Sequence, residues 1–196
     1  MAACTYNDGD EQQWNFLFLL EQGIDINSQD QQGRTAVMMV TYANDLETVQ
    51  ILVENGADIN IQDNIKNDPF LYAGAEGYLD VLKLTIKAGA DPKLLNRYGG
   101  TALIPASEHG YVDVVKELLE HSDIDVNHIN NLGWTALIEA IVLSDSGKKQ
   151  QETLELLKKH GADVNIPDSE GVTPLEQAKA KDFVGIENIL LSAGVK

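Results

Sequence analysis

Cysteine is almost absent from this sequence. Cys4 stands alone, so no internal disulfide can staple the chain, and no cation beside it in sequence draws its thiol toward the thiolate of a nucleophile. Basic residues are scarce: 14 Lys and Arg face 31 Asp and Glu, a net charge of −17. Nucleic-acid binding by counterion release needs a basic footprint that is missing here, and the same field repels anionic membranes. No stretch approaches the roughly 20 apolar residues of a membrane span. Reactive constellations are missing too. The run SDSGKKQ at 144–150 has Gly-Lys without the spacing that lets a P-loop cradle phosphate. DIDVN at 123–127 starts like a calcium loop, but His128 and Trp134 stand where that loop needs Gly and an acid. His109, His121, His128 and His160 are scattered without a serine or cysteine in a triad relation; His121 and His128 with nearby acids offer at most weak adventitious metal binding. These gaps argue against an enzyme, a cofactor or a built metal site.

What the chain has is a repeat. The run NRYGGTALIPASEHGYVDVVKELLEH, 96–121, returns in parts, and aligning on its first Thr gives Thr35, Asp68, Thr101, Thr135 and Thr173, spaced 33, 33, 34 and 38. Each of these side chains can accept from a backbone N–H two or three residues on, the N-cap role. Pro69 and Pro174 follow their caps at the first helical position, where a missing N–H costs nothing. Gly33, Gly99, Gly133 and Gly171 stand two residues before the caps, as a turn with positive φ requires. Lys66 replaces that glycine, so the turn before Asp68 is expected to be distorted. A second helix follows in each unit. It is clearest at 112–120, where Val114, Val115, Leu118 and Leu119 share one face and charged residues take the other. Gly23, Gly56, Gly89, Gly161 and Gly194 close these helices, and short extended pieces follow: IDIN, ADIN, ADPK, DIDVN and ADVN.

A period of about 33 with TAVM, DPFL, TALI, TALI and TPLE opening the units, and HGYVDVVKELL in the third, resembles ankyrin repeats from about Glu11 to Gly194. The resemblance implies an all-α solenoid of stacked helix-turn-helix units joined by β-hairpin-like turns. One domain, 1–196, is expected: a truncated N-terminal cap at 1–29, repeats at 30–62, 63–95, 96–129 and 130–167, and a C-terminal cap at 168–196. Each buried Leu or Val contributes roughly 1.5–3 kcal/mol, so stacking suffices without metal or disulfide. If Ala2 and Ala3 match the paired alanines of an inner helix, about half of that helix is missing, and Trp14, Phe16, Phe18, Leu19 and Leu20 compensate at the end of the stack. The extra residues of the fourth repeat fall at 144–152 and are expected to project as a loop. YGGTALIPASEHG and NHINNLGWTALIEAI resemble a group of bacterial ankyrin proteins.

The resemblance also implies a concave face, made of turn tips and inner helices, that grips a partner protein. On the register of this chain the candidate partner-binding residues are Arg34, Met39, Tyr42, Tyr72, Arg97, Tyr98, Glu108, Leu132, Trp134 and Glu139, rich in the aromatic and Arg types that dominate interface energetics. Stacking of aromatics between neighbouring turns is the structural alternative. The expected function is a non-catalytic protein-binding module, monomeric, with no nucleic-acid or membrane partner and no cofactor. The alternative is an acidic decoy, a nucleic-acid mimic that binds a basic protein through net charge. The compartment is open, with the cytoplasm favoured unless an export signal has been removed.

Overall fold

Four of the five expected caps close their helices. In a computed structural model of the chain, which describes Gly23 and residues 25–194, the side chains of Thr35, Asp68, Thr135 and Thr173 accept from Met38 N, Leu71 N, Ile138 N and Glu176 N. They start the inner helices α1 (Ala36–Tyr42), α3 (Pro69–Glu76), α7 (Ala136–Val142) and α9 (Pro174–Ala180). Glu176 reaches back to Thr173 N at 2.8 Å and completes a capping box. Thr101 departs from the expectation. Helix α5 (Leu103–Glu108) begins a residue later, Ala102 is already helical, and Thr101 Oγ1 is buried with no hydrogen-bond partner.

The outer helices are α2 (Leu46–Glu54), α4 (Leu79–Lys87), α6 (Val112–His121), α8 (Lys148–Lys159) and α10 (Val184–Ser192). Inner packs on inner and outer on outer along the array, and each pair packs internally, as a solenoid requires. The core is the seam between the two rows. Phe70, Leu103, Leu137 and Ile138 enter it from inside, and Val49, Leu52, Leu82, Val115, Leu118, Leu154, Leu157 and Ile186 from outside. On α6 Val114, Val115 and Leu118 are buried and Leu119 is half-buried, while Lys116 and Glu120 face water. Among the described residues no strand forms, and no helix is long and apolar enough to cross a membrane.

Three local expectations are corrected. The IDIN-type pieces are turns, not extended segments. The aspartate of each accepts from the N–H two residues on, as Asp58 does from Asn60 and Asp125 from Asn127, an Asx-turn. Their asparagines link neighbouring units: Asn27, Asn60 and Asn127 each accept, through Oδ1 at 2.8 Å, from the N–H of Asp58, Asp91 and Asp163. Lys93 breaks that ladder. The extra residues at 144–152 are only partly loop: the connector 143–147 is longer than 43–45, and the rest of the excess extends α8, which begins at Lys148 and runs for 12 residues. Gln150 is buried there and donates to the Glu108 carbonyl at 3.0 Å, which ties the lengthened helix to α5. The turn before Asp68 is not distorted either. Lys66 adopts φ 60 and closes the same reversal as the glycines, with Lys66 N donating to Asp63 O at 2.9 Å. The aromatic helix and shortened cap expected near the N-terminus lie outside the described residues.

Neighbouring turns also meet one another. At Gly33 and Gly99 an added Cβ would come within 2.6 and 2.4 Å of Asn64 and Asn131 of the next turn. This close approach lets Asn64 N reach Gln32 O and Asn131 N reach Tyr98 O, both at 2.9 Å. The matching bonds from Arg97 N to Ile65 O, after Lys66, and from Ser169 N to Leu132 O, after Gly133, are not made; at the latter the Ser169 hydroxyl donates to Leu132 O at 3.2 Å instead. The two turns at Ile65 and at Arg97 and Tyr98 border the hollow described next.

Candidate functional site

Every turn tip is held by an Asp or Asn five residues before the cap: Asp30, Asp63, Asn96, Asn130 and Asp168. Its Oδ1 accepts from the N–H groups two and four residues on, as Asn130 does from Leu132 and Trp134 at 2.9 and 3.0 Å. The second polar atom then fixes a side chain of the concave face. Asp30 Oδ2 holds Arg34 at 2.7 Å, Asp63 Oδ2 accepts from the Tyr42 hydroxyl at 2.6 Å, Asn130 Nδ2 donates to Glu139 at 2.9 Å, and Asp168 Oδ2 accepts from Gln177 at 2.7 Å. Arg34 holds the Asp30 carboxyl below its ordinary range, and the backbone N–H of Val172 does the same for Asp168. Asn96 differs, because the matching partner four residues past the cap is Pro105. Its Nδ2 therefore donates to no described residue.

The unit 96–129 is thus missing two side chains its neighbours supply. Gly100 stands where other units carry Arg34, Asn67, Trp134 and Val172, and Pro105 where they carry Met39, Tyr72, Glu139 and Gln177. A hollow of about 520 Å³ opens there, with Gly100 and Pro105 in its lining. One wall is aromatic: Tyr42 and Tyr72 meet edge to face at 4.4 Å between centroids, and Tyr72 meets Tyr78 at 6.0 Å. Burial, then the Asp63 carboxylate, pushes the Tyr42 hydroxyl up to about 12, so it remains a donor to Asp63. The opposite wall carries Glu108 and Glu139. Glu139 is 7% exposed, and burial, followed by repulsion from Glu108, raises its pKa to about 7. The rim is apolar and open: Ile65, Tyr98 and Leu132 are 45%, 55% and 53% exposed. The Arg97 guanidinium lies 4.8 Å from the centre of the Tyr98 ring, a cation–π contact.

Seven of the ten candidate residues come together around this space: Tyr42, Tyr72, Arg97, Tyr98, Glu108, Leu132 and Glu139. Arg34, Met39 and Trp134 do not line it. Arg34 is folded onto Asp30 and Met39 is half-buried. Trp134 is half-buried as well, although it stands at a turn tip. Ile65, Asn96, Gly100, Pro105 and His109 also line the hollow. The Asp or Asn at a fixed five residues before each cap was a legible signal for Asn96; Gly100 and Pro105 matter through what they leave out.

The motifs set aside in the sequence have structural work. Asn127 belongs to the inter-unit ladder. The His128 ring donates to Gly99 O at 2.7 Å and the His160 ring to Leu156 O at 2.8 Å. His121 lies 3.3 Å from Glu117, and His109 rests against Tyr111 with 5.3 Å between ring centres. Among the described residues no three His, Cys, Asp or Glu side chains are placed to hold a metal ion.

Known proteins share this architecture. The family model described as ankyrin repeats (3 copies) matches residues 1–96 and 70–168. A crystal structure of an ankyrin repeat domain from Acinetobacter baumannii is similar at 46% identity, with a TM-score of 0.92 over 95% of each chain. That of the ankyrin repeat protein EF0377 is similar at 36% identity and a TM-score of 0.87, over 98% of this chain and 100% of the other. YahD of Escherichia coli K12, which is named as an ankyrin repeat protein, is 51% identical over 79 residues. That match spans 40% of this chain and 39% of the relative.

Proposed function

Because the chain belongs to the ankyrin repeat family, we propose that it is a binding module that docks a partner protein on its concave face, centred on the hollow at Gly100 and Pro105. Ankyrin repeats are generally protein–protein interaction modules, and the fold is generally non-catalytic. The observation that carries the reading is the exposed row of Ile65, Tyr98 and Leu132 on three successive turn tips. Large apolar side chains on a rigid edge, next to a hollow lined with tyrosine, are the usual anchors of an interface. Arg34, Met39 and Trp134 extend the face to either side. Contact by net charge alone is the competing reading, and salt separates the two: charge steering weakens steeply with ionic strength, whereas apolar anchoring does not.

The test is affinity capture from a lysate of the source organism at low and high salt, with the wild-type chain and with Tyr98→Ala and Leu132→Ala. A partner retained at high salt and lost with the turn-tip variants supports the module. A partner that elutes with salt and ignores both variants overturns it in favour of the acidic decoy.

A further inference from the structure

Three independent features of the hollow point to one kind of occupant. First, its charges are unbalanced: Glu76, Glu108 and Glu139 line it against Arg97 and His109, and Arg97 is already laid over the Tyr98 ring at the rim. Second, Glu139, at 7% exposed, uses only Oε1, on Asn130; Oε2 has no hydrogen-bond partner among the described residues. Oε2 is not among the fully enclosed unpartnered atoms, so it opens on the hollow, and Glu108 lies close enough to repel its charge; a cationic donor entering the hollow meets both carboxylates. Third, Tyr42 and Tyr72 line the hollow with the carboxylates, aromatic rings of the kind that pack against a guanidinium, and the idle Asn96 Nδ2 is a donor suited to a peptide carbonyl.

We propose that the hollow receives one arginine side chain from an extended segment of the partner, its guanidinium between Glu108 and Glu139, with apolar residues on either side of that arginine resting on Ile65, Tyr98 and Leu132. The inference rests on the protein-binding reading above and adds the chemistry of the bound segment. Arginine fits better than lysine because its planar, forked donors can meet two carboxylates at once. The volume of about 520 Å³ falls within the about 300–1,000 Å³ of sites that enclose a drug-sized ligand, enough for a side chain and its adjoining main chain.

The probe is a capped pentapeptide with arginine between two leucines, compared with the same peptide carrying lysine or citrulline, the neutral isostere of arginine. Binding to the full chain is followed by NMR. The arginine peptide is expected to shift the signals of Tyr72, Gly100, Glu108 and Glu139 and to bind at least about tenfold more tightly than the citrulline peptide, a difference of about 1.4 kcal/mol, with lysine between them. Gly100→Trp fills the hollow and is expected to abolish binding with an unchanged melting curve. A Cβ at Gly100 meets its neighbours only at 3.5 Å, and the same turn position already carries Trp134. Glu108→Gln and Glu139→Gln, which keep size and shape, are expected to weaken the arginine peptide severalfold and leave the citrulline peptide unaffected. Equal binding of arginine and citrulline overturns the proposal. So do shifts confined to α4, α6 and α8 that persist in Gly100→Trp, and so does the absence of any shift. None of these touches the turn-tip capture result, so failure of the arginine inference is distinguishable from failure of the binding module.

Discussion

Replacing Glu139 with Gln should stabilise this protein at alkaline pH and leave it nearly unchanged in mild acid. The carboxyl has an ordinary value of 4.5 and is raised to about 7 by burial, then by Glu108. Between those values the native chain holds a proton that the unfolded chain has released, so stability falls as pH rises through the window and is level above it. At about 1.4 kcal/mol per unit the ceiling is about 3 kcal/mol; the open side of the hollow admits solvent, and screening reduces this to about 1–2 kcal/mol. Gln keeps the oxygen that accepts from Asn130 Nδ2 and never ionises. Urea unfolding at pH 4.5 and pH 8 provides the measurement, with Glu139→Gln expected to exceed the parent by about 1–2 kcal/mol at pH 8 and to match it at pH 4.5. Asp68, raised by burial to about 6, adds a slope of the same sign to both proteins and cancels in the difference. Equal differences at the two pH values, or a variant weaker than the parent at pH 8, would refute the reasoning.

Lys66→Gly is expected to raise stability by about 1 kcal/mol, since it removes a left-handed Lys; a loss in urea unfolding would contradict this account of the turn. Thr101→Val should be neutral or slightly stabilising, because the hydroxyl it removes is buried without a partner. Thr135→Val, at the equivalent position with a working cap, should cost about 1 kcal/mol, and similar melting shifts for the two would argue against the late start of α5. Trp134→Ala should cost about 1 kcal/mol of stability, as a half-buried residue does, and weaken partner binding less than Tyr98→Ala; the opposite ranking in a binding titration would place the interface centre at Trp134.

The fold was legible because its signals repeat. A single Thr-Pro or Gly-Thr is weak, but five caps on a period of about 33 fix the inner helices, and the apolar face of 112–120 fixes the outer ones. The register alone puts Tyr42, Tyr72, Tyr98, Leu132 and Glu139 on one face. What repetition hides is the effect of departures from it. Gly100 and Pro105 carry no motif of their own, yet the side chains they leave out open the hollow; Lys66 departs from the glycine rule, and its turn closes as the glycine turns do. The residues at 144–152 looked like an insertion in a loop, but Lys, Gln and Glu are good helix formers, and Gln150 found an unpaired carbonyl at Glu108. Thr101 departs from Thr135 although the TALI run is the same, because the first helical bond, which Glu139 N gives to Thr135 O, has no counterpart where Pro105 lacks an N–H.

The most direct measurement is a hydrogen-exchange footprint of the captured partner on the full chain. Binding on the concave face predicts slowed exchange at 63–76, 96–109 and 130–142, with the outer helices at 79–87, 112–121 and 148–159 unchanged. Protection concentrated on those outer helices, with the turn tips exchanging as in the free protein, would contradict the account.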